Sequence, residues 1–258
     1  MKRLFLPLAF LLIATIACTL QQSGRGTQQA LPVPTAISPP VIASPTLTVA
    51  TTRPDGAELI YAPSAPASAQ NPLFSPDGQA IVFTLFHDGY NVGPAGLYSI
   101  PLNGGVPAVL LDEADQNSVN LPGSGWNAAT NRIAFASDRE DTDEIWMMNG
   151  DGSDLFRVTR SGDSFAIEPS FSPDGAWIVF ELDANAPDDQ QQGSIWKVRA
   201  DGSELTQLTD GPGGGTDDRQ PNWSPAGDRV LFQRRIPGSE DWNIYTMSPD
   251  GTDIKQVT

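Results

Sequence analysis

The sequence contains a single cysteine, Cys18, and a single histidine, His87, among its 258 residues. One cysteine rules out an intramolecular disulfide, and the two residues cannot supply a zinc site made of His and Cys clusters. A Ser-His-Asp triad would have to use His87 as its base. His87 falls in a polar loop, where a solvated side chain is the simpler explanation, and no Gly-x-Ser-x-Gly motif is present. The sequence therefore predicts a protein that is not an enzyme.

Basic residues are scarce. The chain has 15 Lys and Arg against 31 Asp and Glu, a formal net charge of −16. From residue 56 onward the balance is 11 basic to 30 acidic residues. Contacts to phosphate groups need clustered Lys and Arg. The composition therefore argues against binding of nucleic acid, or of anionic lipid, by the folded part of the chain.

Long apolar runs are absent apart from Leu4–Ile16, which two basic residues precede. Thirteen residues are too few to span a bilayer, which takes about 20, but they suit the core of a signal peptide over residues 1–17. Thr15–Cys18 (TIAC) resembles the lipobox of bacterial lipoproteins, with Thr15 where Leu is usual. This resemblance implies cleavage before Cys18, a diacylglyceryl group on its sulfur, and anchoring in the periplasm or at the cell surface. The alternative is an ordinary signal peptide with an incidental cysteine.

Residues 18–55 differ in composition from the rest. They are rich in Pro, Ser, Thr and Ala, carry almost no charge and lack aromatic residues. Such a stretch cannot bury enough apolar surface to become ordered, while its prolines stiffen it locally. The sequence predicts a disordered tether whose contour, in polyproline geometry, approaches roughly 100 Å.

A repeat occurs four times in the remaining sequence. Three copies carry a nearly identical turn after an aromatic residue, at Ser75–Gly78, Ser172–Gly175 and Ser224–Gly227, and a degraded copy runs in phase from Trp126 to Phe135. Each turn precedes an apolar strand, a loop, an alternating strand and a second turn of hairpin type. Four short antiparallel strands per repeat are typical of a propeller blade. The repeat predicts an all-β propeller over residues 56–258, with blades at 71–111, 118–159, 166–209 and 218–258.

The phrases PxWSPDGxxIxF and xIWxMxxDGSxLxxxT resemble the repeats of TolB-type (WD-like) β-propellers. The resemblance covers nearly all of residues 71–258. The family includes an interaction hub of the bacterial cell envelope and the propeller domains of prolyl oligopeptidase-type peptidases, so the resemblance is strong for fold and weak for function. It implies a scaffold that binds other envelope proteins.

The number of repeats leaves the closure of the propeller open. Propellers of this family usually have six or more blades, whereas four are recognisable here. Three arrangements fit: a closed four-bladed ring, an open arc that a second copy completes as a homodimer, or a truncated chain, which would be a fragment of a larger propeller-containing peptidase. An open arc leaves unpaired strand edges, which soluble proteins avoid. We nevertheless favour an incomplete, arc-like propeller over a closed four-bladed ring.

Calcium is the one metal for which the sequence offers ligands, since calcium needs only oxygens. The candidate ligands fall in two segments, the first with Asp138, Glu140, Asp141 and Asp143, the second with Asn149, Asp151 and Asp154. Neither has the spacing of an EF-hand, and hairpin turns alone account for the recurring Asp-Gly pairs. We therefore predict no cofactor, with calcium as the alternative. A calcium-dependent hydrolase or sugar-binding propeller is the corresponding alternative function.

The longer loops should all lie at one end of the blades, and they hold 17 acidic and 5 basic residues. Variable loops on a rigid scaffold often carry function, and an acidic face attracts a basic partner. The predicted partner-binding residues are Asp183, Asp188, Asp189, Asp210, Asp217 and Asp218. The sequence thus predicts a membrane-anchored, non-enzymatic scaffold for a cell-envelope protein. The alternative is a solvated acidic surface that keeps an exported protein soluble.

Overall fold

The computed structural model describes residues 56–112, 116–186 and 192–258. The predicted signal peptide, the tether and the lipidation site at Cys18 lie outside the described residues. The described residues form four antiparallel sheets whose strands follow one another in chain order. This confirms the predicted all-β fold with four recognisable blades. Within the described ranges, no helix is long and apolar enough to cross a membrane.

Each sheet is one blade. Blade 1 consists of β1 (Ser68–Phe74), β2 (Ala80–Phe86), β3 (Ala95–Pro101) and β4 (Ala108–Leu111). Blade 2 consists of β5 (Val119–Asn120), β6 (Trp126–Asn127), β7 (Arg132–Glu140), β8 (Thr142–Asn149) and β9 (Phe156–Arg157), with β5 and β6 both paired to β7. Blade 3 consists of β10 (Phe165–Phe171), β11 (Trp177–Asp183), β12 (Gly193–Arg199) and β13 (Thr206–Gln207). Blade 4 consists of β14 (Asp217–Trp223), β15 (Val230–Arg235), β16 (Trp242–Met247) and β17 (Lys255–Gln256), and a short 3-10 helix, Gly211–Gly214, precedes it.

The repeated turn forms because its side chains satisfy its own backbone. In blade 3, Asp174 Oδ1 accepts hydrogen bonds from Ser172 Oγ (2.6 Å) and from the backbone N–H of Ala176 (3.0 Å). Gly175 has φ +70°, a left-handed conformation that glycine adopts without steric cost. The corresponding turn of blade 1 has the same hydrogen bonds. The turn phrase therefore fixes where the first strand of a blade ends and the second begins.

A bulge interrupts the first strand of three blades at the residue before a proline. Asn71, Glu168 and Gln220 have φ of 51° to 53°, and the strand register shifts around each of them. Two of these bulges link neighbouring blades. Asn120 of blade 2 donates to the Glu168 side chain (2.8 Å), and the Gln220 N–H donates to Glu181 of blade 3 (2.8 Å).

Neighbouring blades pack against each other through apolar side chains on the two faces of the second strand of each blade. A phenylalanine (Phe135, Phe180 or Phe232) packs toward the preceding blade, so that three buried apolar clusters join blades 1 and 2, blades 2 and 3, and blades 3 and 4. No such cluster among the described residues joins blade 4 to blade 1. The described residues therefore form an open stack with two end faces.

At the first end, residues 56–67 cover blade 1, and we call this segment the strap. Ile60 and Tyr61 pack against Phe83 and Ile100, with the rings of Tyr61 and Phe83 5.2 Å apart. Phe83 is equivalent by strand register to the phenylalanines that pack on a preceding blade elsewhere. The strap thus occupies the place of a preceding blade, and an open groove of about 220 Å³ lies between it and blade 1.

At the other end, blade 4 has one face that no further sheet covers within the described residues. Alternate residues of two paired strands point to this free face, which consists of Leu231, Gln233, Arg235, Trp242, Ile244 and Thr246. Leu231 is 41% exposed, and Trp242 is also exposed. The free face is the structural counterpart of surfaces that are buried in the other three blades.

Candidate functional site

A cluster of charged side chains lies at the boundary between blades 3 and 4. We call it the carboxylate–arginine cluster, and it comprises Glu181, Asp183, Asp217, Asp218, Arg219, Arg234 and Arg235. The end of β11, the start of β14 and the end of β15 bring these residues together. All four carboxylates are buried.

This burial corrects part of the sequence prediction. Asp183, Asp217 and Asp218 were expected on an exposed acidic face, and for these three residues the expected exposure is wrong. Arginines that the sequence places in the same loops fold onto them and form ion pairs, at 3.7, 2.9 and 2.6 Å respectively. A buried carboxylate needs such a partner, since an unpaired charge is costly away from water.

Asp218 and Arg234 form a two-pronged ion pair. Arg234 Nε donates to Asp218 Oδ1 (2.6 Å), and its second nitrogen donates to Oδ2 (2.8 Å). By strand register, Asp218 and Arg234 correspond to an alanine–leucine pair both in blade 1 and in blade 3. A charged pair therefore stands in blade 4 where two other blades have an apolar pair.

Asp217 holds the two blades together. One oxygen of Asp217 accepts from Arg219 Nε (2.9 Å) and from the backbone N–H of Gly193 in blade 3 (2.8 Å), while the other accepts from Arg235 (3.0 Å). Gly193 has to be glycine at this junction, because an added Cβ would lie 2.6 Å from the Asp218 carbonyl oxygen. The cluster thus depends on close approach of the two blades.

The carboxyl groups of Glu181 and Asp183 are both buried and interact electrostatically. Burial raises the pKa of Glu181, and repulsion from Asp183 raises it further. Burial also raises the pKa of Asp183. Arg219 lies 3.7 Å from both carboxyl groups. Both carboxyl groups are buried, with exposures of 1% and 4%.

The second predicted calcium segment forms a hairpin turn. Asp151 Oδ1 accepts hydrogen bonds from the Ser153 N–H (3.0 Å) and Ser153 Oγ (2.6 Å), and Asn149 donates to the same hydroxyl (2.9 Å). Asp154 forms an ion pair with Arg132 (2.7 Å). The polar atoms of this segment therefore stabilise the hairpin turn itself.

The first predicted calcium segment lies at the turn between β7 and β8. Asp138 Oδ1 accepts two backbone N–H groups at 2.9 Å, Glu140 pairs with Arg157 (2.7 Å), and Asp141 has φ +83° in the turn. Burial raises the pKa of Asp143 to about 6, and repulsion from Asp138 contributes to the shift. In the parts of the chain that the structure describes, no group of three or more His, Cys, Asp or Glu side chains is placed to hold a metal ion.

Calcium binding by either segment stays a prediction, and the arrangement of the ligands argues against it. We expect the melting temperature to be the same in millimolar calcium and in a chelator. A ligand that binds only the native state raises stability, so a calcium-dependent rise in melting temperature would restore the calcium alternative. Magnesium at the same concentration controls for ionic strength.

The Asp143→Asn substitution should stabilise the protein above about pH 6 and have no effect below about pH 4. The pKa of Asp143 is raised in the folded state from an ordinary 3.8. As the pH rises, the unfolded chain therefore ionises first, and the native protein loses stability relative to it. Asparagine removes this loss, which is on the order of 3 kcal/mol because one pKa unit corresponds to about 1.4 kcal/mol. Urea titrations at several pH values measure it.

Asp141→Asn is the matched control for this prediction. Asp141 is exposed in the adjacent turn, and asparagine tolerates its positive φ. Its effect on stability should be small. An Asp143→Asn effect that did not change with pH would contradict the proposed cause.

Sequence reasoning missed four members of the carboxylate–arginine cluster, namely Glu181, Arg219, Arg234 and Arg235. A signal for part of the cluster was available in the repeats themselves. By strand register, the position of Asp218 holds Ala69, Val119 and Ala166 in the other blades. A single aspartate among small apolar residues at one repeat position predicts a buried charge with a dedicated partner.

A set of acidic side chains remains exposed at the end of the blades that carries the cluster. We call this set the acidic rim, and it consists of Asp88, Asp112, Glu140, Asp141, Asp163, Asp210, Glu240 and Asp241. Glu140 is the last residue of β7, and the others lie on the loops between second and third strands or on the connections between blades. Among the other predicted partner-binding residues, Asp210 belongs to the rim, and Asp188 and Asp189 lie outside the described residues.

These features define the class of the protein: an open stack of propeller blades with an acidic rim at one end. The chain belongs to the TolB beta propeller domain family, whose model matches residues 45–258. An uncharacterized protein of Agrobacterium fabrum is 31% identical over 191 residues, which cover 71% of this chain and 59% of that protein. The chain thus spans about three fifths of the length of this relative.

Solved structures of similar fold include a TolB protein and a hydrolase. TolB from Acinetobacter baumannii has a TM-score of 0.53 at 17% identity, over 74% of this chain and 43% of that one. A puromycin hydrolase has a TM-score of 0.55 at 12% identity, over 73% of this chain and 28% of that one. Identities this low support the fold alone, which serves several functions.

Proposed function

We propose that this chain is an exported, lipid-anchored, non-enzymatic scaffold that binds a basic surface of another cell-envelope protein through its acidic rim. The observation that supports this proposal is the gathering of exposed carboxylates on the loops of one end. The carboxyl groups with raised pKa values at the same end are buried or half-buried and serve contacts within the protein. The rim is therefore the part of this end that a partner reaches.

The acidic rim belongs to a chain of net charge −16, and the electrostatic field of such a chain attracts a basic partner before contact is made. The summed field of clustered charges accelerates encounters with a basic partner, and salt screens it over about 10 Å at 0.1 M. Exposed charges of this kind influence association rate and specificity more than final affinity. Binding through the rim should therefore weaken steeply with ionic strength.

The proposed anchor places the rim at a distance from the membrane. Lipid on Cys18 would hold the chain at the surface, and residues 18–55 would separate the propeller from it by up to roughly 100 Å. Fractionation of cells tests this part: the wild-type chain should be recovered with membranes, and a Cys18→Ala variant with the soluble exported fraction. Equal recovery of both chains with membranes would exclude the lipid anchor.

The test of the binding role removes charge from the rim without changing side-chain size. The triple variant Asp141→Asn, Asp210→Asn, Asp241→Asn should recover at least about tenfold less of a basic envelope partner after cross-linking in cells, because three long-range attractions are lost. Quantitative mass spectrometry of the cross-linked material measures this loss.

The matched control removes the same charge from the opposite end of the blades. The Asp77→Asn, Asp151→Asn and Asp250→Asn variant alters three exposed turn residues, and asparagine preserves such turns. It should recover the partner at the wild-type level. If both triple variants recovered the same proteins in the same amounts, the rim would have no role in binding.

A further inference from the structure

We propose that an open groove between blades 3 and 4 binds a proline-rich peptide in the polyproline II conformation. The groove has a volume of about 350 Å³ and lies at the end of the blades that carries the repeated turns, opposite the acidic rim. Flat apolar rings line it, namely those of Trp177, Trp223, Pro173 and Pro249. This inference concerns a second binding site and does not depend on the acidic rim or on the role proposed for it.

The alternation of side chains along β11 directs Trp177 toward blade 4. Ile178 belongs to the apolar cluster that joins blades 2 and 3, and Val179 belongs to the cluster that joins blades 3 and 4. Trp177 therefore lies on the same side of the sheet as Val179. On the neighbouring strand, the Lys197 ammonium and the Arg199 guanidinium lie 4.8 and 4.6 Å from the centre of the indole ring. These cation–π contacts hold the ring in place.

The packing of the blades does not account for the Trp177 ring. None of the apolar clusters among the described residues includes it. By strand register, the same position in the other blades holds a small or a basic residue, namely Ala80, Arg132 or Arg229. The two arginines form ion pairs with an acidic residue in the second turn of their own blade. In blade 3 the corresponding residue, Glu204, pairs with Arg199 instead, so this ion pair does not involve position 177.

The polar atoms of the groove differ in whether they already have partners. Ser172 Oγ donates to Asp174 Oδ1 (2.6 Å) and accepts the backbone N–H of Trp177 (2.9 Å), and Asp174 Oδ1 also accepts the N–H of Ala176 (3.0 Å). By contrast, Trp223 Nε1 is buried and has no hydrogen-bond partner among the described residues. Buried polar groups normally have a partner, and an indole N–H can only donate. The buried atom that lacks a partner is therefore a donor.

A proline-rich peptide has the chemistry that such a groove requires. Proline has no backbone N–H, so the peptide brings no donors that would need acceptors in the groove. The carbonyl groups of a polyproline II helix form no internal hydrogen bonds, and a small turn of the Trp223 ring brings Nε1 to one of them. Proline rings pack on aromatic rings, which is how aromatic-lined grooves recognise these peptides. The peptide is also largely pre-ordered, so its binding costs little conformational entropy.

Other classes of ligand fit the groove less well. Strand addition needs an exposed sheet edge, whereas turns and strand ends form this groove, with Trp177 the first residue of β11 and Trp223 the last of β14. A carbohydrate needs several polar side chains that are available to its hydroxyl groups. The Ser172 hydroxyl and Asp174 Oδ1 are already hydrogen-bonded to each other and to the turn. The rings and the indole donor thus favour the peptide.

The test is a calorimetric titration of the full chain with decaproline, with Cys18→Ser introduced so that lipid does not contribute. The wild-type groove should give saturable binding, and Trp177→Ala should weaken this binding by at least about tenfold, as expected for the loss of an aromatic anchor. Blade 1 carries alanine at the same register position, so the fold accommodates the substitution. Trp242→Ala is the matched control, because Trp242 is an exposed tryptophan outside the groove. It should leave the affinity unchanged.

A second variant tests the indole donor. Trp223→Phe keeps an aromatic ring and removes the N–H, so it should weaken decaproline binding by about three- to tenfold, the value of one hydrogen bond. An unchanged affinity would overturn the assignment of this donor. The proposal as a whole would be overturned if the wild-type chain did not bind decaproline, or bound a Gly-Ser peptide of the same length equally well. Binding of chitohexaose in place of decaproline, lost in Trp177→Ala, would make the groove a carbohydrate site instead. Circular dichroism confirms that each variant retains its β-sheet content.

Discussion

Arg234→Ala is expected to lower the free energy of unfolding by about 3–5 kcal/mol. The substitution leaves Asp218 fully buried with neither of its two short hydrogen bonds from Arg234. Its remaining side-chain hydrogen bond, from the Thr216 hydroxyl at 3.3 Å, does not supply a countercharge. Urea denaturation measures the loss. Lys255→Ala is the control, because its ion pair with Asp253 is exposed and should contribute little to stability.

Removing the carboxylate as well should reverse most of this loss. The double variant Asp218→Ala, Arg234→Leu restores the alanine–leucine pair that the register places at this position in blades 1 and 3. Well-packed apolar residues in place of a buried ion pair are often neutral or stabilising. The double variant should therefore lie within about 1 kcal/mol of the wild type. If it were as unstable as Arg234→Ala, the position would require polar side chains for a reason other than mutual neutralisation.

Phe180→Ala should have an effect of similar size, a loss of about 3–5 kcal/mol. The Phe180 side chain is 1% exposed in the cluster that joins blades 2 and 3. Truncation removes its buried surface and leaves a cavity that the stacked sheets cannot close. Because this junction lies in the middle of the stack, we also expect the midpoint of thermal unfolding to fall by several degrees.

The control for this prediction is Phe74→Ala. Phe74 precedes the repeated turn of blade 1 and is 63% exposed, so its truncation should change stability by less than about 0.5 kcal/mol. Comparable losses for the two substitutions would mean that the junction between blades 2 and 3 contributes little to stability, contrary to the packing.

The fold could be predicted because its signals are local. The turn at Ser172–Gly175 is specified by four adjacent residues, and its hydrogen bonds lie within that segment. The four copies of the repeat then determine the strand order without any long-range information. At Asn149–Asp154 a local signal was ambiguous. Its residues suggest half of a calcium loop, yet the same side chains form the hydrogen bonds of a hairpin turn.

Which acidic residues are exposed and which are buried could not be predicted in the same way. Asp210 and Asp217 belong to one loop in the sequence, but Asp210 is exposed and Asp217 is buried. The difference arises because Asp217 is the first residue of β14 and pairs across the sheet with Arg235, 18 residues away. Burial of a carboxylate depends on a distant cation, and no local pattern of acidic residues reports whether that cation is present.

The carboxylate–arginine cluster makes the contact between blades 3 and 4 dependent on charge. The Asp217 carboxylate accepts hydrogen bonds from Arg235 of blade 4 and from the backbone N–H of Gly193 in blade 3. In a stack of blades each unit is stabilised mainly by its neighbours. Loss of the cluster should therefore allow these two blades to separate at a lower free energy than the rest of the stack, so that local opening precedes global unfolding.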